Sequence, residues 1–181
     1  MNSALELARL TLISLSRVEP MANSSHSIVV VGIGKSQAGD DAVGLTIVDG
    51  LRKCPDLGCE VRACEGGCPP GFLAEIPADT MIIFFDAVQA GRDPGTICCV
   101  KLPSKTIQSR HLEAMSTHGF SLEREMELAR NLNGALPRMF LVGIQVENCD
   151  PASELSAKVK AAAEEIIREF PRYKKLAADL T

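Results

Sequence analysis

The sequence predicts an α/β fold: a three-layer sandwich with a mostly parallel, five-stranded sheet and helices on both faces. Two observations predict it. Short apolar runs rich in β-branched residues, such as SIVVVGI (27–33) and TMIIFFDAV (80–88), read as strands buried on both sides. Between such runs stand segments whose apolar residues recur at helical spacing. The two signals alternate through most of the chain, and no internal repeat interrupts them.

The elements follow in order. SALELARLTLISLSR (3–17) spaces Leu5, Ala8, Leu12 and Leu15 as a short amphipathic helix. The polar stretch VEPMANSSHS follows and holds a second methionine, Met21. Residues 1–26 are therefore expected to be a leader or linker, with Met21 as an alternative start. Residues 27–181 are expected to form a single domain. After the strand at 27–33, DDAVGLTIVDGLRKC places Val43, Ile47, Val48 and Leu51 on one helical face, with Asp40 or Asp41 where an N-cap belongs. CEVRAC (59–64) reads as a strand, and CPPGFLAEI (68–76) as a turn and a short helix. TMIIFFDAV is the strongest strand signal and carries Asp86 near its end. The turn-rich QAGRDPG leads to a strand in TICCVKL (96–102). SLEREMELARNL (121–132) is a helix with Leu122, Met126 and Ala129 on one face, and RMFLVGIQ (138–145) is the last strand. DPASELSAKVKAAAEEIIREF (150–170) is the terminal helix. Asp150 and Pro151 are its start signal, and Leu155, Val159, Ala163, Ile166 and Phe170 its buried stripe.

Composition narrows the function. The chain carries a formal charge of −4, no basic block, one Tyr and no Trp. It lacks both the electrostatic footprint and the stacking platform of a nucleic-acid binder. No run approaches the roughly 18 apolar residues of a membrane span. Glu6 and Arg9 interrupt the place where a secretory signal would be apolar. Seven cysteines, an odd number, suit reduced thiols in the cytoplasm. Cys54, Cys59, Cys64 and Cys68 do not form paired CxxC knuckles, so buried or half-buried thiols are expected rather than structural zinc.

Ligands of such sheets gather at the carboxyl ends of the strands. Topology brings Asp40, Asp41, Asp86 and Glu147 there. The loop VVVGIGKSQAGDD (29–41) holds a Gly-Lys-Ser, yet a phosphate-binding P-loop would need glycine at Val29. A dinucleotide loop would need glycine at Gln37. Two aspartates at the following helix start repel a pyrophosphate and suit a cation. Aspartates there also cap helices and complement the dipole, a purely structural use. His118, in MSTHGFSL, is the candidate imidazole. His111 is a weaker competitor, and His26 precedes the first strand at the wrong edge. Carboxylates with one imidazole suit nickel, zinc, manganese or iron with open positions. Ser116 lies too near His118 in sequence to be read as its nucleophile.

GIGKSQAGDDAVG (32–44), EGG (65–67), FDAVQAGRDPGTI (85–97), STHGFSL (116–122) and GIQVE (143–147) together resemble the ordered motifs of the [NiFe]-hydrogenase maturation proteases, over roughly residues 27–170. The resemblance implies a twisted five-stranded sheet between helices, of the phosphorylase/hydrolase-like type. It implies an endopeptidase that removes a C-terminal extension from the hydrogenase large-subunit precursor after nickel insertion. Nickel is then presented by the substrate, with another divalent metal as an option in the isolated protein. It further implies that Asp41, Asp86 and His118 are both metal ligands and catalytic residues. The metal, or a water it activates, would polarise or attack the carbonyl. Asp40 would support the site, and Gly66, Gly67 and Gln145 would wall or contact the substrate tail. Lys35 stands where the family pattern has Asn; it would pair with Asp40 or reach a substrate carboxylate or carbonyl. Two other functions remain open: a non-catalytic nickel-sensing or chaperone module, and a nucleotide-binding switch on Gly32, Gly34 and Lys35. A cytoplasmic monomer is expected, with neither nucleic acid nor membrane as partner.

Overall fold

The computed structural model of the protein describes residues 27–103 and 122–179. The helix expected at 3–17, the polar stretch after it, and His26, His111, Ser116 and His118 lie outside those residues.

Five strands form one sheet: β1 Ile28–Gly34, β2 Glu60–Glu65, β3 Met81–Val88, β4 Ile97–Leu102 and β5 Arg138–Gln145. Their order is β2-β1-β3-β5-β4. Every neighbouring pair is parallel except β4 with β5. The antiparallel strand is at an edge, as is common in otherwise parallel sheets. Four α-helices are described: α1 Val43–Leu51, α2 Leu122–Asn133, α3 Ala157–Arg168 and α4 Phe170–Asp179. Two short 3-10 turns, Gly39–Ala42 and Phe72–Glu75, complete the set.

Period-two alternation divides the core into two layers. Val30, Ile83, Phe85, Phe140, Val142 and Ile144 pack against α1, α3 and α4 on one face. Val29, Val31, Ile82, Phe84, Met139 and Leu141 pack against Phe72, Leu73, Met126 and Ala129 on the other. All of β3, and all but the first residue of β1 and β5, is therefore buried. That double burial is why their sequences are continuous apolar runs.

The chain leaves β1 toward β2 on one side, and β3 lies on the other side of β1. The crevice between the carboxyl ends of β1 and β3 is thus the point where strand order reverses, the usual ligand position in such sheets. Helix α1 is seated against this crevice. A Cβ on Gly44 would lie 2.2 Å from the Ile33 carbonyl oxygen and 2.4 Å from that of Phe85. Only glycine lets the helix approach both strands so closely.

The C-terminal region departs from the expected single helix. Residues 150–156 are not helical; α3 starts at Ala157, after an extended Ser156. Ala152, at φ 62°, breaks any helical path from Asp150 and Pro151. After Glu169 a further helix, α4, begins, with Pro171 in its first turn, where a missing N–H costs no helical bond. Among the described residues, no helix is long and apolar enough to cross a membrane.

Candidate functional site

The site is built from the loops at the carboxyl edge. Asp40 and Asp41 both lie in the 3-10 turn Gly39–Ala42, and both are buried. Neither caps a helix: no side-chain cap bond is made at this turn or at α1. The expected N-cap role is thereby corrected.

Asp40 is completely buried. Its carboxylate accepts the N–H of Glu147 at 2.8 Å and of Asn148 at 3.0 Å. It also accepts the N–H of Ser156 at 2.6 Å and its hydroxyl at 3.0 Å. The Asp40 N–H donates to the Asn148 carbonyl at 2.8 Å. A buried carboxylate is tolerable when so many donors replace water. Asp40 is a fastener between the opening loop and the loop that follows β5, and its oxygens are taken. It forms no ion pair with Lys35, whose side chain is exposed; the Lys35 N–H donates to the Asp41 carbonyl at 3.2 Å.

Asp41 is 3% exposed and Asp86 4%. Asp86 continues the row Ile82–Phe84 along β3, and its Oδ1 accepts the N–H of Ala87 at 2.9 Å. The 3-10 turn that carries Asp41 packs on β3. Gly44, three residues beyond Asp41, sits on the carbonyl of Phe85, the residue before Asp86. Two segments far apart in sequence, each carrying a buried aspartate, thus meet at the carboxyl edge. Among the described residues no group of three or more His, Cys, Asp or Glu side chains gathers as a metal site. Two carboxylate donors are the start of a hard-cation set, and the expected third ligand, His118, is outside the described residues.

The remaining expected residues line the same edge. Gln145 is buried, and its Oε1 accepts the N–H of Ala90 at 2.7 Å and of Arg92 at 3.2 Å. Its side chain thereby holds the loop between β3 and β4. Gly66 is exposed and Gly67 half-buried in the loop after β2. Glu147 is exposed and serves through its backbone.

Three neighbours were missed by sequence reasoning. Glu65 accepts the N–H and hydroxyl of Ser36 at 3.0 and 3.3 Å, tying the opening loop to β2. Glu125, on α2, is buried and accepts the Gly71 N–H on both carboxylate oxygens, at 2.9 and 3.0 Å. Cys149 lies beside Asp41: burial first, then the charges of Asp41 and Asp40, push its thiol up. Glu65 stands in the EGG motif, but its bond to Ser36 is not marked locally, and no local pattern marks Glu125 or Cys149, since each acts through a partner distant in sequence.

A family model described as hydrogenase maturation protease matches residues 52–171. That match contains Asp86 and begins beyond Asp41. The hydrogenase expression/formation protein HupM of Azotobacter chroococcum mcd 1 is 31% identical over 147 residues, which are 80% of this chain and 69% of HupM. The hydrogenase maturating endopeptidase HybD from E. coli superposes with a TM-score of 0.63 at 25% identity, over 80% of this chain and 89% of HybD. The [NiFe] hydrogenase maturation protease HycI from Thermococcus kodakarensis KOD1 superposes with a TM-score of 0.62, also at 25% identity, over 80% of this chain and 89% of HycI.

Proposed function

Because this chain belongs to the hydrogenase maturation protease family, we propose that it is the endopeptidase that removes a C-terminal extension from the precursor of a [NiFe]-hydrogenase large subunit after nickel insertion. The observation that supports the reading is that Asp41 and Asp86 are both buried, in segments that meet at the carboxyl edge of β1 and β3.

In this reading Asp41 and Asp86 hold the nickel carried by the precursor, and His118 adds a nitrogen ligand. Two carboxylates balance the charge of a divalent cation and offer the oxygen donors it takes. The nickel is a feature of the substrate. Gripping it places the adjoining peptide in one orientation, so that much of the barrier is met by positioning. The bound nickel supplies a Lewis acid able to polarise the scissile carbonyl. Asp40 keeps the Asp41 turn in place through the loop after β5. Gly66 and Gly67 offer backbone to an extended tail, Gln145 supports the opposite wall, and the exposed Lys35 reaches a carbonyl or carboxylate of the substrate. We place the reaction in the cytoplasm, whose reducing conditions suit a chain with seven cysteines.

The test is incubation of the chain with nickel-loaded and nickel-free large-subunit precursors, followed by mass analysis of their C-termini. Shortening of the nickel-loaded form alone is expected. A nickel-loaded precursor that is bound yet keeps its full length would overturn the peptidase reading in favour of a non-catalytic nickel-sensing module.

A further inference from the structure

Beside the carboxylates lies a pair of thiols that the proposed cleavage does not use. Cys64 is the second-last residue of β2 and pairs in register with Ile33 of β1. The chain then reverses. The Gly67 N–H donates to the Cys64 carbonyl at 3.4 Å, and Gly66 and Gly67 take φ values of 71° and 118°. Those are conformations that glycine alone adopts readily. The reversal returns Cys68 onto Cys64. Cys64 is buried in the apolar layer around Phe72 and Leu73, and Cys68 is half-buried against the same layer. The neighbouring Cys68 thiol holds the Cys64 thiol below its ordinary range.

The segment is anchored at both ends. The Gly66 N–H donates to the Gly34 carbonyl at 2.7 Å, and the Gly71 N–H to the Glu125 carboxylate. Pro69 and Pro70 stiffen the chain between the anchors. The charges of Asp86 and Glu125 act on Cys68, so the pair borders the proposed site. Other cysteines differ. Cys98 and Cys99 are consecutive in β4 and point to opposite faces. Cys54 gives its thiol to the Gly50 carbonyl.

We propose that Cys64 and Cys68 are a thiol–disulfide site whose closure reshapes the rim of the cleft and slows cleavage. The oxidant is a low-molecular-weight disulfide, such as oxidised glutathione. Cys64 first gives its proton to solvent; the half-exposed Cys68 sulfur then attacks the small disulfide as its own proton passes to the Cys64 thiolate, giving a mixed disulfide and one glutathione thiolate. The Cys64 sulfur then attacks the Cys68 sulfur, displaces the second glutathione, and gives up its proton to the departing thiolate. Two protein thiols are oxidised to one disulfide, and one small disulfide is reduced to two thiols. The bond draws Cys68 toward β2 and away from the Asp86 side, between fixed ends. The effect on cleavage rests on the proposed peptidase function; the disulfide itself does not.

The full chain is equilibrated in glutathione mixtures of increasing oxidised fraction, alkylated, digested with trypsin and mapped by mass. Cys64 and Cys68 share the peptide spanning residues 63–92, so closure reads as loss of two hydrogens with no alkylation. Closure is expected while Cys54 and Cys99 are still alkylated, and to be abolished by C64S and by C68S. Alkylation of both thiols until the other cysteines oxidise would overturn the site. In a second arm, oxidation slows processing of nickel-loaded precursor by about tenfold, as a displaced binding wall should. Dithiothreitol restores the rate, and C64S/C68S responds to neither. Equal rates for the oxidised and reduced chain would overturn the effect on cleavage. A reduced chain that never cleaves would refute the peptidase function, while the peptide map still decides the disulfide.

Discussion

Asp40 accepts both the backbone N–H and the hydroxyl of Ser156, 116 residues further along the chain, at 2.6 and 3.0 Å. The bond joins the loop after β1 to the residue that precedes α3. It also separates two adjacent aspartates into different uses, since Asp40 is spent on fastening and Asp41 stands at the crevice. Replacing Asp40 with Ala leaves the part-buried N–H groups of Glu147, Asn148 and Ser156 without their acceptor. A loss of about 3 kcal/mol in unfolding free energy is expected, read from urea denaturation. Asp40→Asn keeps one accepting oxygen and should lose less. Identical midpoints for D40A and the parent chain would contradict the fastener.

Asp41→Asn and Asp86→Asn preserve side-chain shape and remove charge. Each should slow processing of nickel-loaded precursor by about a hundredfold or more while leaving the urea midpoint nearly in place. The contrast with Asp40 is the informative part. If D41N unfolds early and D40A does not, the division of labour between the two aspartates is reversed.

Gly44→Ala forces a methyl group onto the carbonyl oxygens of Ile33 and Phe85, at 2.2 and 2.4 Å. Helix α1 must lift from the sheet, at a cost of about 3 kcal/mol. Because the 3-10 turn that carries Asp41 runs directly into α1, processing by the folded fraction should fall too. Calorimetry and rate measurement on the same sample separate the two effects, and full activity with a lowered melting temperature would show that the crevice tolerates the shift.

Tyr173 is the only tyrosine in the chain, so its titration can be followed without overlap. Burial first, then the charge of Glu165, raises its pKa above the ordinary 10.0. A raised folded value favours the neutral form in the native state. The stability it contributes is therefore fully present below pH 10.0 and is lost as pH rises through the folded value. Tyrosinate absorbance should rise at higher pH in buffer than in concentrated urea. Coincident curves would place Tyr173 in water rather than in the α4 interface.

The five strands were legible because each carries a local signal, a short run of β-branched and apolar residues between turn signals. The carboxyl-edge position of Asp41 and Asp86 follows from the same strands and the parallel order they imply. Helix α4 was not legible as a separate element: beyond Phe170, only Tyr173 and Ala177 are buried, too few apolar residues to stand out beside Arg172, Lys174 and Lys175. The start of α3 was misplaced because Asp150 and Pro151 form a local start signal, whereas Ser156 is committed to Asp40.

By itself the sequence determined the strands, the two-faced burial of the central ones, and the edge at which the acidic residues emerge. These are consequences of side-chain period and hydrophobicity, which neighbouring residues carry between them. Only the tertiary structure decided which of two adjacent aspartates is a fastener, that Glu125 grips Gly71, that Cys149 borders Asp41, and that Cys64 and Cys68 pack in one apolar layer. Each of those is a directional bond or a close approach that depends on packing. Hydrogen bonds of buried polar groups need a partner at one distance and angle, and nothing in local periodicity names that partner.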